Sequence, residues 1–291
     1  MSCSWLITGC SSGLGAALAD AVAAAGDRVL ATARRPESLT PLTDRYPHLV
    51  RTAACDVRDT AACEAAVAAA IDAFGRIDVL VNNAGYGVFG AVEEIDDEAL
   101  AAQLDTNLGG AWRITRAALP HLRAAGSGHI LMVSSTAAGI AYPGLGAYNA
   151  SKAALEGLAE TLAGEVAAFG IGVTILEPGG YATGYGASLD SRRTPVEAYA
   201  PITQAMEAGI ASLAGGGPGV GQPQEFAAVV RELVESGARP MRLPIGAGVA
   251  TELLQAWDRR REDMLDAERP RAAAPTTAPA KPTTTPATPR R

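Results

Sequence analysis

The chain has 291 residues, of which 48% are hydrophobic and 19% charged, enough apolar sequence for a large buried core. The formal net charge is −7, and the body of the chain carries no cluster of Lys and Arg, which argues against a nucleic-acid partner. The 4 cysteines and 3 histidines lack the spacing of zinc ligands, so we expect reduced thiols and no metal site.

The chain begins with a strand pattern at residues 5–8, which is not typical of a secretory leader. No apolar run reaches the ~20 residues that a membrane-spanning helix needs. We therefore expect a cytoplasmic protein with no membrane partner.

Short apolar runs alternate with helical patterns along most of the chain. Strands are predicted at residues 5–8, 28–33, 49–55, 77–82, 129–134, 172–176 and 241–243. Helices are predicted at residues 13–25, 60–74, 97–124 with a break near 107–110, 148–169, 225–236 and 249–267. Because each strand returns through a helix, the pattern predicts a single-domain, Rossmann-type α/β fold: a doubly wound parallel sheet of about seven strands with helices on both faces.

Two segments depart from this alternation. Residues 184–222 are expected to be irregular, with a short helix near 196–213. From Pro270 the composition shifts to Pro, Thr and Ala, which cannot bury enough apolar surface to become ordered. We expect one domain over residues 1–269 and a disordered tail over 270–291, either an inert linker or a weak electrostatic tether.

A glycine-rich turn follows the first predicted strand and opens the first predicted helix. It reads Thr-Gly-Cys-Ser-Ser-Gly-Leu-Gly from residue 8 to residue 15. Such a turn lets the backbone approach a pyrophosphate, whose charge the helix N-terminus stabilises; the alternative is close packing in an Ala- and Gly-rich chain. The candidate cofactor contacts are Gly9, Ser11, Ser12, Gly13, Leu14 and Gly15.

The second predicted strand ends in Arg34 and Arg35, with no acidic residue before Glu37. A carboxylate there would bind the ribose hydroxyls of NAD, whereas a guanidinium pairs with the 2′-phosphate of NADP. Arg34 therefore favours NADP (NADPH) over NAD; the alternative is a solvated basic loop. After the third strand, Asp56 and Val57 are candidate contacts to the adenine, although Asp56 could instead cap the next helix.

The fourth predicted strand ends in an Asn-Asn-Ala-Gly run. Small residues at this point let a cofactor lie across the sheet edge, although the same run is also an ordinary turn signal. The candidate contacts are Asn83, Ala84 and Gly85.

Three polar residues downstream have the types and spacing that carbonyl chemistry requires. Ser135 follows the strand at 129–134, and Tyr148 and Lys152 are one helical turn apart on a shared face. An ammonium beside a phenol favours the phenolate, which gives a tyrosine able to exchange protons near neutral pH. A Tyr and Lys at this spacing often lie by chance on a solvated helix face. Their order after the glycine turn and the Asn-Asn-Ala-Gly run instead predicts an oxidoreductase.

Over residues 4–183 the chain resembles the short-chain dehydrogenase/reductase family, in its compact branch. The motifs TGxxxGxG, NNAG, the serine, YxxxK and PGxxxT occur in family order and spacing. The resemblance implies that Tyr148 is the general acid and base, that Lys152 supports it, and that Ser135 holds the substrate oxygen. It further implies that Asn107 positions a water beside Lys152. Pro178, Gly179 and Thr183 are implied to close over the nicotinamide.

The last third of the chain resembles an NADP-preferring subgroup more loosely. By analogy, residues 184–223 cover the substrate, with Tyr185 as a substrate contact. We expect an apolar pocket, or alternatively a surface insertion packed on itself. Its candidate lining residues are Tyr86, Phe89, Tyr142, Tyr185, Tyr199, Ile202 and Met206. Relatives often form homodimers or homotetramers, and the same is expected here.

The main hypothesis is thus an NADP-dependent enzyme that reduces a carbonyl or oxidises an alcohol. One alternative is a non-catalytic NADP-binding regulator, which the presence of all four candidate catalytic residues disfavours. Another is a lyase, dehydratase or epimerase, which the glycine spacing disfavours. No motif identifies the substrate.

Overall fold

A computed structural model describes residues 2–182, 193–217 and 219–268. Its sheet has seven parallel strands in the order β3-β2-β1-β4-β5-β6-β7. The strands are β1 Ser4–Ile7, β2 Arg28–Ala33, β3 Val50–Ala54, β4 Val79–Asn82, β5 Gly128–Val133, β6 Ile171–Pro178 and β7 Arg242–Ile245. The predicted parallel α/β fold is confirmed. The strand order reverses between β1 and β4, which is where such sheets bind ligands.

Ten helices surround the sheet within the described residues. They are α1 Gly13–Ala24, α2 Thr40–Arg45, α3 Thr60–Phe74, α4 Asp97–Leu104, α5 Gly110–Ala125, α6 Thr136–Gly139, α7 Gly146–Val166, α8 Ala200–Ala214, α9 Pro223–Ser236 and α10 Val249–Glu268. None of the described helices is both long and apolar enough to cross a membrane.

Alternation along the strands divides the core into two layers. Trp5 and Ile7 of β1 face one side, where they join buried residues of α1 and α9 such as Phe226. Leu6 faces the other side, where it joins residues of α3, α5 and α7 such as Leu155. Both faces of the sheet are therefore covered, and its carboxyl edge remains for a binding site.

The elements that differ from expectation are short or irregular. Helices α2 and α6 have six and four residues, too few to show a helical period, and were not predicted. The break expected near 107–110 is a π-helical turn, Asp105–Gly109, that joins α4 to α5. The short helix expected near 196–213 is the 15-residue helix α8, preceded by a 3-10 turn, Glu197–Tyr199.

Candidate active site

A cavity of about 1280 Å³ opens at the carboxyl edge of the sheet. The ends of the central strands form its floor, and α8 forms one wall. Most of the predicted residues line it: Gly9, Ser11, Ser12, Gly13, Leu14, Arg34, Asp56, Val57, Asn83, Ala84, Gly85, Ser135, Tyr148, Lys152, Pro178 and Gly179. Gly15 and Asn107 lie behind this lining, while Thr183 and Tyr185 fall outside the described residues.

The glycine turn depends on the absence of side chains. Gly9 and Gly13 have φ of 71° and 59°, in the left-handed region that favours glycine. A Cβ on Gly15 would overlap the Asn83 side-chain nitrogen and lie 2.5 Å from Gly9 O. Ser12 precedes α1, and its side chain does not cap the first N–H groups of this helix. This arrangement is suited to an anion.

Asn83 holds the glycine turn in place. Its side-chain nitrogen donates to Thr8 O at 2.8 Å and to Gly9 O at 3.1 Å. In return, the Thr8 hydroxyl oxygen accepts from the backbone N–H groups of Asn83 and Ala84, both at 3.0 Å. The sequence predicted only that small residues leave room for a cofactor here. The structure adds that the Asn83 side chain links the ends of β1 and β4 through hydrogen bonds.

Asp56 and Arg58 form a bidentate ion pair at the end of the cavity beside β2 and β3. Arg58 Nη2 and Nε donate to the Asp56 carboxylate at 2.7 Å and 3.0 Å. Arg58, with a smaller contribution from Arg34, holds the pKa of Asp56 below its usual range. Asp59, not Asp56, caps α3 by accepting from the backbone of Ala61. The capping alternative for Asp56 is therefore wrong, and Arg58 is a lining residue that sequence reasoning missed.

Arg34 is exposed at the end of β2, and within the described residues its guanidinium makes no hydrogen bond or ion pair. It lies in the cavity wall that also contains Asp56 and Arg58. Because it has no partner among the described residues, this guanidinium can bind a phosphate.

Ser135, Tyr148 and Lys152 meet at the end of β5. Ser135 caps the N-terminus of α6, and its hydroxyl oxygen accepts from Ala137 N at 3.2 Å. Lys152 Nζ lies 5.7 Å from the centre of the Tyr148 ring and donates to Val133 O at 2.8 Å. Burial lowers the pKa of Lys152 to about 8. The structure thus places a buried amine beside a phenol, with a hydroxyl on the same cavity.

Asn107 lies in the π-helical turn and ties three segments together. Its side-chain nitrogen donates to Tyr86 O and to Ser151 Oγ, both at 2.9 Å, and its oxygen accepts from Tyr86 N at 3.0 Å. A Cβ built on Gly85 would lie 3.1 Å from Asn107 Oδ1 and 3.5 Å from Lys152 Nζ. The glycine therefore keeps open the space between these two side chains.

The far end of the cavity is apolar. Helix α8 presents one face to it, comprising Pro201, Ile202, Ala205, Met206, Gly209, Ile210 and Leu213, with Tyr86, Tyr142, Leu145 and Tyr181 among the residues around it. At ~1.5 Å per residue, this face is about 18 Å long. The expected lining by Ile202, Met206, Tyr86 and Tyr142 agrees with the structure.

Two other expected lining residues lie elsewhere. Phe89 is buried beneath the guanidinium of Arg193, 5.8 Å from its ring centre. Tyr199 bonds to Glu93, which raises the pKa of its hydroxyl. Neither residue lines the cavity. Aromatic side chains pack well in any core, so residue type alone did not distinguish these positions.

Helix α8 is anchored through Glu94, a carboxylate with no exposed side-chain surface. Its Oε1 accepts from Arg193 Nη1 and Val196 N, both at 3.0 Å, and its Oε2 accepts from Ala91 N at 2.9 Å. These donors hold the pKa of Glu94 below its usual range. Arg193 also reaches Glu207 of α8, at 3.1 Å.

Comparisons with known proteins agree with this fold. Residues 4–194 match the short chain dehydrogenase family. Oxidoreductase BOA17 of Botryotinia fuckeliana is 41% identical over 263 residues, covering 88% of this chain and 95% of that protein. The structure of a short-chain dehydrogenase from Streptomyces avermitilis is 36% identical, with a TM-score of 0.81 over 92% of this chain and 96% of that one.

Similar solved structures contain both forms of the dinucleotide. An alcohol dehydrogenase from Thermococcus sibiricus, complexed with 5-hydroxy-NADP, is 26% identical, with a TM-score of 0.69 over 85% of this chain and 97% of that one. A 3-ketoacyl-(acyl-carrier-protein) reductase from Brucella melitensis, complexed with NADH, is 27% identical, with a TM-score of 0.71 over 84% and 96%.

Proposed function

The chain belongs to the short-chain dehydrogenase/reductase family, and we propose that it transfers a hydride between NADP and an apolar ketone or secondary alcohol. The observation that carries this proposal is the convergence of Ser135, Tyr148 and Lys152 on the cavity that also contains the glycine turn. The family makes it an NAD(P)-dependent oxidoreductase. The cofactor preference, the residue roles and the substrate class are our proposals.

The residues at the β1–α1 turn fit a dinucleotide. Gly9, Gly13 and Gly15 form a cradle that a Cβ would strain or fill, and the Ser12 side chain does not cap α1. There the pyrophosphate would meet backbone N–H groups, while Asp56 and Val57 would contact the adenine. Pro178, Gly179 and, by resemblance, Thr183 would contact the nicotinamide end. When bound, the nicotinamide supplies or accepts the hydride.

Tyr148 handles the proton in this proposal. It donates to the carbonyl oxygen during reduction and removes the hydroxyl proton during oxidation. The charge of Lys152 favours the phenolate, and Ser135 holds the substrate oxygen as charge develops on it. Asn107 is a positioning residue, because its amide fixes the Tyr86 backbone and the Ser151 hydroxyl of α7.

The substrate is proposed to be apolar because of α8. Ile202, Met206 and Leu213 provide a continuous apolar wall. Among the described residues, the charged side chains that line the cavity are Lys152, Arg34, Asp56 and Arg58. The last three follow β2 and β3, away from α8. By resemblance, Tyr185 is a further substrate contact, and the active form is a homodimer or homotetramer. A cytoplasmic location is part of the same proposal.

The first experiment is a paired fluorescence titration with NADPH and NADH. NADPH is expected to bind at least about tenfold more tightly, because Arg34 pairs with its 2′-phosphate. Arg34→Asp should remove most of this preference, whereas Arg35→Asp, an equal charge change outside the cavity lining, should retain it. Tighter NADH binding by the wild type would overturn the NADP assignment, and binding of neither would overturn the catalytic one.

A further inference from the structure

Three consecutive residues at the end of β5 each make a different contact. Val133 O accepts from Lys152 Nζ at 2.8 Å, and Ser134 Oγ donates to Glu156 Oε1 at 2.6 Å. Ser135 faces the cavity. Since Lys152 and Glu156 are one turn apart on α7, two bonds join this helix to the strand end that carries Ser135. Glu156 is buried, and neither the motifs nor the proposed reaction uses it.

Glu156 is in turn held from the opposite side by Arg242 of β7. Arg242 Nη1 lies 2.5 Å from Glu156 Oε2 and 2.9 Å from Glu177 Oε1, and Nη2 lies 2.7 Å from Glu160 Oε1. The ring of Trp257 covers the guanidinium, at 5.4 Å. A buried carboxylate with ideal partners on both oxygens is fixed in place, because any other position would leave it unpaired.

We propose that Glu156 is a positioning residue for the reaction, which fixes the Ser134 strand end and provides the negative charge that faces Lys152. This rests on the proposed function, since it concerns the same Ser135, Tyr148 and Lys152. Among the described residues, the ionisable side chains around Lys152 are Tyr148, Glu156 and Glu160 from α7, Glu177 from β6 and Arg242 from β7.

The charge of Glu156 affects the pH at which Lys152 deprotonates. Burial lowers the pKa of Lys152 to about 8, and the carboxylate of Glu156 opposes that decrease. With a neutral residue at 156, the protonated amine loses this support and deprotonates at lower pH. Lys152 would then lose the charge that favours the Tyr148 phenolate within the working pH range.

The chain itself offers a direct test, because its only lysines are Lys152 and Lys281. In full-length protein labelled with 13C at the lysine Cε, NMR should show two titrating signals, one from each lysine. Glu156→Gln should move the Lys152 titration down by on the order of one pH unit. Glu156→Asp, which keeps the charge, should restore it to within a few tenths of a unit. The control is Glu165→Gln, an exposed carboxylate on α7, which should change nothing.

An unshifted Lys152 signal in Glu156→Gln would overturn the electrostatic role. Ser134→Ala tests the positioning role even if Glu156→Gln does not fold: it should lower kcat by about tenfold with unchanged NADPH affinity, because only the strand end loosens. Wild-type kcat in that variant would overturn this part. If the wild-type enzyme reduces no carbonyl at all, the proposed function fails, yet the Lys152 titration still reports on Glu156.

Discussion

Two parts of the proposed site differ in construction: the catalytic edge, formed by Gly85, Asn107, Ser135, Tyr148 and Lys152, and the substrate wall, formed by α8. At the catalytic edge, Lys152 and Asn107 are buried and bonded to named backbone atoms at 2.8–3.0 Å. The substrate wall instead crosses the cavity between two attachments. One is Glu94 with Arg193, and the other is the backbone pairing of Gly221 with Gly180 and Ala182.

This difference indicates that the two parts have separate roles, one in positioning the reacting groups and the other in binding the substrate. Chemistry needs reacting groups held within a fraction of an ångström, which the sheet edge and α7 provide. An apolar wall needs only shape and the absence of unpaired charge, so its side chains can vary with little effect on the fold. Substitutions at the catalytic edge should therefore change kcat, and substitutions at the substrate wall should change KM.

The largest effect is expected from Tyr148→Phe. Loss of the phenolic proton should lower kcat by at least ~10²-fold, the low end for a positioned acid–base group. NADPH affinity should stay near wild type, which fluorescence titration checks in the same preparation. Tyr46→Phe, outside the cavity lining, is the matched control and should retain full activity. Substantial turnover by Tyr148→Phe would remove Tyr148 from its assigned role.

A smaller effect is expected from Gly85→Ala. The new methyl group would lie 3.1 Å from Asn107 Oδ1, closer than an ordinary contact, so the Asn107 amide and its bond to Tyr86 N must shift. Displacement by a few tenths of an ångström should lower kcat by about tenfold, with little change in KM.

The matched control for that substitution is Gly157→Ala on α7, where no atom lies within 4 Å of the new Cβ. It should leave kcat unchanged and stabilise the helix by about 0.5–1 kcal/mol, measurable by denaturant unfolding. Equal kinetics in the two variants would show that the space beside Gly85 has no role.

The sequence allowed the catalytic edge to be predicted further than the substrate wall. Ser135, Tyr148 and Lys152 belong to fixed spacings on regular elements, so one strand end and one helix turn were enough to bring them together. Glu156 is one turn beyond Lys152 and could have been noticed by the same reasoning. Its partner Arg242 could not, since 86 residues separate the two.

The substrate wall depends on contacts that no local pattern encodes. Ile202 and Met206 were expected to line the cavity and do, but Phe89 and Tyr199 were equally suitable by residue type and face elsewhere. Arg193 and Glu94 are 99 residues apart, so their bond followed from neither periodicity nor composition. Tertiary packing decides such placements, and sequence spacing carries little information about it.

The smallest of these effects is expected at the attachment of the substrate wall, in Glu94→Gln. Glu94 accepts from Arg193, Val196 and Ala91, whereas a glutamine must turn its NH₂ group toward at least one of these donors. One buried donor then loses its acceptor, and the segment leading into α8 shifts. KM for an apolar ketone should rise by about fivefold, with kcat near wild type, because the reacting groups stand on other elements.

The control for Glu94→Gln is Glu207→Gln, which removes the other carboxylate bonded to Arg193. Glu207 is 49% exposed, so water replaces much of what its side chain contributes, and KM should stay within about twofold of wild type. A fall in kcat without a change in KM in Glu94→Gln would contradict the expectation that the substrate wall affects KM and the catalytic edge affects kcat. It would mean that the substrate wall and the catalytic edge move as one unit, with the buried carboxylate transmitting its position to Tyr148.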